Sequence, residues 1–341
     1  MNKETLFSAK NISKVELHRH LDCSWRYSTL VELAKDLKII DSTDFKEVES
    51  KLLVTQPMDD LDTVLRKFTN AQKLLKSETV LTRLTFETLE DAYNDGVGII
   101  ELRYSLNFIQ EASGLPYDKI HAALLKGIEL AQKKYPIATG LIIIFQRNQP
   151  KDQLKKILDF TIQNKTLFIG ADLADNESAA NPNDFKWIFD RLHEACIPIT
   201  IHAGETPDSL APQRVKDSIE ILHAVRIGHG IQAIESLEII DLIKSKNIHL
   251  EICPISNSLT KAFANRSAHP FAELYKAGIS VSINSDDPGI FNTYLSDDYS
   301  YLIRTAHLTA LDFNKINKMA YKASFIAETI KRAAMPGFST P

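Results

Sequence analysis

The sequence predicts a (β/α)8 barrel, and three observations carry the prediction: eight short apolar, β-branched runs, longer amphipathic segments between them, and runs that are apolar on both faces. Alternating strand and helix argues for a parallel sheet, and strands apolar on both faces are interior strands covered by helices. Eight such units favour closure into a ring. The 341 residues suffice for a single domain spanning the chain, since such a barrel takes about 250 residues before insertions.

In order, the runs are 15–20, 97–105, 141–147, 167–173, 197–203, 225–229, 248–253 and 279–284. Between the second and third, Ile120, Leu124, Leu125, Ile128 and Ala131 recur at helical spacing, and Leu154, Ile157, Leu158 and Ile162 do so between the third and fourth. An open doubly wound sheet is the alternative. Its one glycine-rich candidate, Gly96-Val-Gly98, lacks a third glycine and precedes a strand instead of opening a helix. Roughly 75 residues separate the first two runs, far more than one βα unit needs. Within this helical insertion, roughly 40–95, the portion from Asp60 to Leu75 carries Leu61, Val64, Leu65, Phe68 and Leu75 at helical spacing, which predicts a helical lid over one mouth of the barrel, the alternative being a helix packed on the outer ring. A helical tail over 314–334 follows the eighth run and ends at Pro336-Gly337.

Composition narrows the function classes. Forty basic and 44 acidic residues give a net charge of -4 without long blocks of one sign, so neither nucleic-acid binding nor a cationic membrane anchor has an electrostatic basis. No apolar stretch is long enough to cross a bilayer, and the N-terminus lacks the apolar core of a signal peptide. The expectation is a soluble, cytoplasmic protein whose oligomeric state the sequence leaves open. Cys23, Cys196 and Cys253 form no CxxC pair, which disfavours a disulfide framework or an all-thiolate metal site.

Catalytic groups of such barrels sit where the strands end. Here the first run ends in His18-Arg19-His20-Leu21-Asp22, the fifth in His202-Ala203-Gly204-Glu205, the sixth in Gly228-His229-Gly230, and the eighth in Asn284-Ser285-Asp286-Asp287. His18 and His20, two apart on a strand, send both imidazoles to one face. A barrel-lining pair satisfied by carbonyls is the alternative, but His202 and Asp286 at two other strand ends weigh against it. Three His and one Asp around an open position suit a catalytic divalent ion, zinc foremost, holding a reactive water. Glu205, turned by Gly204, is the natural proton donor unless it serves only as a helix-start carboxylate. Asp286 and Asp287 diverge, so one faces the metal and the other the substrate, the alternative being a turn cap before Pro288. His229 orients the water or takes its proton, or is a satisfied buried histidine. His121, His193, His223, His249, His269 and His307 read as structural. Rival motifs fail: no GxSxG elbow, no Walker loop, no second His at zincin spacing after His193-Glu194, and no PCxxC behind His249-Leu-Glu251.

Taken together, KVELHRHLD, IELRYS, GADLAD, ITIHAGE, RIGHG, LEICPISN and SINSDDPGIF stand in order from residue 14 to residue 291, and with them the chain resembles the adenosine deaminase family of metal-dependent hydrolases. The resemblance implies a zinc-bearing (β/α)8 barrel with His18, His20, His202 and Asp286 as ligands. It implies Glu205 as proton donor to the purine N1, His229 as the group that positions and activates water, and Asp287 as hydrogen-bond partner of N7. Water activated by zinc would attack C6 of an adenine ring and release ammonia, with His20 also bordering the substrate. Asp22 matches the acid that contacts the sugar, and Leu61, Val64, Leu65 and Phe68 match the apolar gate helix, which leans toward adenosine or deoxyadenosine. Adenine or a modified adenine nucleoside or nucleotide is the alternative, and a non-catalytic relative the remote one. Cys23 and Asp175 stand where the family usually has Gly, and a carboxylate at 175 is expected to reshape specificity.

Overall fold

The structure, a computed structural model, describes residues 9–57, 61–263 and 266–338, without the side chains of 61, 62, 64 and 65. Eight strands form one parallel sheet in chain order: β1 (Lys14–His20), β2 (Val97–Tyr104), β3 (Ala138–Gln146), β4 (Gly170–Ala174), β5 (Ile199–Ala203), β6 (Arg226–His229), β7 (His249–Ile252) and β8 (Ser280–Ile283). The ring is brought round at Asp286. Just beyond β8, it forms a parallel bridge with Arg19, its carbonyl accepts from the His20 N–H at 2.8 Å, and its own N–H donates to the His18 carbonyl at 3.1 Å. All eight predicted strands are present. The fourth starts later than expected because 165–167 form a 3-10 turn.

Strict alternation fails in β1, and the failure builds the site. From Glu16 to Arg19 the strand advances three residues while its partner advances two, from Ile100 to Leu102, so β1 carries one extra residue. Leu17 therefore packs in an apolar floor with Val15, Ile99, Ala138 and Met335. Its neighbour His18 places its ring 4.5 Å from that of His202 and 5.0 Å from that of His229.

The predicted tail is two helices, Ala310–Ala323 and Glu328–Ala334. The break has a local cause: the buried Glu101 carboxylate accepts from the Ser324 hydroxyl at 2.7 Å and the Phe325 N–H at 2.6 Å, drawing the chain out of helical geometry. Phe325 then lies over the Arg226 guanidinium, 3.7 Å from the ring centroid. The long β1–β2 connection holds helices Tyr27–Asp36, Phe45–Leu52, Leu61–Gln72 and Glu78–Asn94. Glu78–Asn94 packs on the outer helix Tyr117–Gln132, whereas Leu61–Gln72 packs against 21–23 and Pro288–Phe291 beside the C-terminal end of the barrel. The helix that carries Phe68 is thus the one placed beside that end, and Glu78–Asn94 is in the outer layer. The side chains of Leu61, Val64 and Leu65 lie outside the described residues, and Leu75 is buried beyond the helix end.

Candidate metal centre and active site

Four donor side chains, distant in sequence, meet at the end of β1, the end of β5 and the turn after β8. One ligand atom from each of His18, His20, His202 and Asp286 lies within 4.8 Å of the others. His20 Nε2 is 3.2 Å from His202 Nε2, and Asp286 Oδ1 is 3.2 Å from His18 Nε2 and 3.3 Å from His20 Nε2. His18 Nε2 is buried without a hydrogen-bond partner. Imidazole nitrogens facing one another, an orphaned buried nitrogen and an adjacent carboxylate fit a divalent cation, which binds these lone pairs at once. Gly228 makes the space, because a Cβ there would come within 2.9 Å of His18 Cε1.

Behind the donors stands a layer the sequence reading passed over. Glu251 accepts from His18 Nδ1 at 2.9 Å, and Asp172 from His202 Nδ1 at 3.0 Å. Each contact fixes a ring and directs its Nε2 into the cluster. Arg103 ties both acids, reaching Asp172 at 2.8 Å and Glu251 at 2.6 Å, while Arg226 and Thr200 satisfy the second Glu251 oxygen. A signal was present: Arg103, Asp172 and Glu251 are charges inside strands that otherwise read as apolar, where a charge is retained only if paired. Glu251, set aside with the failed HxE motif, holds a histidine and is no ligand in the cluster of four. Burial, aided by Arg103, lowers the pKa of His18, and burial lowers that of His202, so both rings keep a lone pair for a cation. Against its own burial, His20 is raised to about 9 by Asp287 and Asp286. Burial would raise the pKa of Asp286, but contacts with His18 and His20 hold it well below the usual carboxylate range.

A cavity of about 700 Å³ opens in front of the cluster, in the range of small-molecule sites. His20, Asp22, Phe68, Asp175, His202, Glu205, His229, Asp286 and Asp287 border it, so the predicted site residues that can be placed converge, with His18 buried behind them. Glu205 Oε2 sits 3.6 Å from His229 Nε2, its other oxygen accepts from Thr260, and burial raises its pKa. His229 Nε2 lies between Glu205 and Asp286 Oδ2, the latter at 3.8 Å. Asn257 Nδ2 meets Nδ1 at 3.0 Å, which leaves Nε2 as the N–H donor. Asp287 turns away from Asp286 toward Cys23, and burial together with the Asp286 charge pushes its pKa well up. Asp22 is buried with Oδ1 unpartnered. Asp175 takes a left-handed φ of 81°, a conformation that favours glycine, and its carboxylate sits at the exposed rim accepting from the Asn176 N–H. None of the six other histidines borders the cavity, although His269 lies 3.3 Å from Asn257 and so stands one contact behind His229.

The profile of the adenosine deaminase family matches residues 13–338. The adenosine deaminase of Plasmodium falciparum is 35% identical over 324 residues, covering 94% of this chain and 88% of that protein. Among solved structures, the adenine deaminase of Arthrobacter aurescens superposes with a TM-score of 0.86 at 23% identity, over 96% of this chain and 98% of that one, which shows the fold alone. The N6-methyl-AMP deaminase of Arabidopsis thaliana superposes at 0.83 with 26% identity, over 97% of each chain. The chain belongs to the adenosine deaminase family and is a hydrolase of carbon–nitrogen bonds.

Proposed function

We propose that this member of the adenosine deaminase family is a zinc-dependent deaminase of adenosine or deoxyadenosine, yielding the 6-oxo purine nucleoside and ammonia. One observation carries the reading: Glu205, with its carboxyl pKa raised, faces the cavity 3.6 Å from His229 and beside a cluster of three His and one Asp. His18, His20, His202 and Asp286 would hold a zinc ion, which would supply Lewis-acid activation of water, bringing its pKa toward about 7. Hydrolysis at an aromatic carbon then needs a proton on the ring at the same moment. Glu205, whose carboxyl burial shifts toward the protonated form, delivers it to N1 as C6 becomes tetrahedral. His229 holds the incoming oxygen through Nε2–H between the two acids. Asp287, its pKa raised, shares a proton with N7 and so orients the base, and His20 borders the same space. One proton of the water passes to the departing nitrogen, so that ammonia leaves C6, and the other returns to Glu205 as the 6-oxo group forms, restoring the acid.

The cavity supports a nucleoside over the two alternatives. Its volume far exceeds what a free base fills, and the unpartnered Asp22 Oδ1 offers an acceptor for a sugar hydroxyl. Among the described lining residues there is no Lys or Arg, while Asp22, Asp175, Glu177, Glu205, Asp286 and Asp287 are acids, so a 5′-phosphate would enter without a counter-ion. The helix Leu61–Gln72, carrying Phe68 at the cavity wall edge-on to Phe291, serves as a lid over the same mouth, and the whole chain acts as one domain. The test is a panel of adenosine, deoxyadenosine, adenine, AMP and N6-methyl-AMP, with ammonia release and metal content measured on one preparation. The expected order is nucleosides well above base and nucleotides. Ammonia from AMP at the rate of adenosine would overturn the nucleoside assignment, and none from any member would overturn deamination.

A further inference from the structure

Glu177 lies on the loop after β4, 28 residues before Glu205, and its carboxylate is 4% exposed. It accepts from the backbone N–H groups of Gly204 at 2.7 Å, Glu205 at 2.7 Å and Thr206 at 2.5 Å, and from Arg214 Nε at 3.0 Å. Four donors meet the roughly four lone-pair positions of a carboxylate. The three amides are the first after β5 ends at Ala203, so none has a strand partner in that direction. Gly204 adopts φ +69°, and a Cβ there would lie 2.6 Å from Val215, so the turn that swings Glu205 toward His229 is tight. Opposite Glu177, Gln232 holds the carbonyls of the same turn, its N–H on Gly204 O at 2.9 Å and its side-chain amide on Glu205 O at 3.3 Å. The turn is clamped from both faces, and only the Glu177 face is charged.

We propose that Glu177 is the positioning residue of Glu205: by gathering three successive amides it fixes where the Glu205 carboxyl stands relative to the reacting ring. Two residues before Glu177, as β4 ends, Asp175 takes a left-handed backbone with a φ of 81°. Arg147 staples the same junction, donating to Asp175 O at 2.9 Å and His202 O at 2.6 Å. The loop that borders the rim of the cavity and the turn that carries the proton donor are therefore one mechanical unit. This rests on the assignment of Glu205 as proton donor.

The test is a double-mutant cycle on the metal-loaded full chain with adenosine. In Glu177→Gln an amide nitrogen replaces one accepting oxygen and faces N–H groups. kcat should fall roughly 10²-fold, as for displacing a catalytic group by about 1 Å, with KM and bound metal near wild type. In a Glu205→Gln background the same change should cost under about twofold, because the group it places is already disabled. Equal losses in both backgrounds, or an unchanged kcat in Glu177→Gln alone, would overturn the proposal. If the Gln variant does not fold, Glu177→Asp, which keeps the charge and withdraws it by one methylene, enters the same cycle with the same criteria. Wild-type protein that releases no ammonia would sink the proton-donor reading itself, whereas active wild type with additive losses would sink only the role of Glu177.

Discussion

The two ends of the barrel use one backbone conformation for opposite purposes. At the floor, Gly96, Cys196, Asn247 and Gly278 take left-handed φ values shortly before β2, β5, β7 and β8, where they end the preceding helices. At the mouth, Asp175, His229 and Asp286 take φ values of 81°, 60° and 62° just as their strands end, and each carries a side chain that borders the cavity. Such a conformation costs of order 1–3 kcal/mol for a residue with a side chain, a strain held at all three of these mouth positions and, among the four floor positions, eased by Gly at two and Asn at one. The interiors differ in the same sense. Val15, Leu17, Ile99, Ala138 and Met335 fill the floor with apolar contact, and the mouth collects acids and imidazoles whose charges press on one another. Stability is concentrated at one end of the ring and reactivity at the other.

Substitutions at the two ends should therefore separate activity from stability. The largest effect is expected at the mouth: Glu205→Gln lowers kcat for adenosine by about 10²–10⁴-fold, the range for losing a general acid, while metal content and melting temperature stay within error of wild type. A parallel loss of bound metal would place Glu205 among the ligands and break the contrast. At the floor, Ile99→Ala should cost about 2–5 kcal/mol of unfolding free energy by chemical denaturation, with turnover per folded molecule preserved. A floor variant as stable as wild type but slow would show that the two ends are coupled.

The smallest effect concerns pH. Burial holds His121 down to about 4 and His249 to about 3, and neither borders the cavity. Between these values and the unfolded histidine pKa of about 6.5, the unfolded chain binds more protons than the folded one. Their contribution is thus intact above about pH 6.5 and is lost progressively as the solution is acidified toward pH 4. Melting temperature should decline between pH 7 and pH 5, less steeply in His121→Phe. An identical slope in that variant would remove His121 from the account.

The residues most legible in the sequence were those that interrupt an apolar run at its end. His18, His20, His202, His229, Glu205, Asp286 and Asp287 all stand out in this way, and all converge on one site. Asp172 and Glu251 were harder to see because they sit inside strands, and their meaning lies in partners remote along the chain: His18 and Glu251 are 233 residues apart. Glu177 was harder still, since three of its four partners are backbone amides, which no motif displays, and the fourth, Arg214, lies 37 residues along the chain. The extra residue in β1 left no trace, because a strand buried on both faces has no alternation for a slipped ladder to break.

Strand and helix, their number and the end at which polar groups gather were fixed by the amino-acid order itself, since each depends on the spacing of neighbours a few positions apart. Which acid steadies which histidine, and which carboxylate aims the proton donor, came only with the closed ring. Pairing of buried charges is decided by distances through space, and these exist only once β8 has come round to β1.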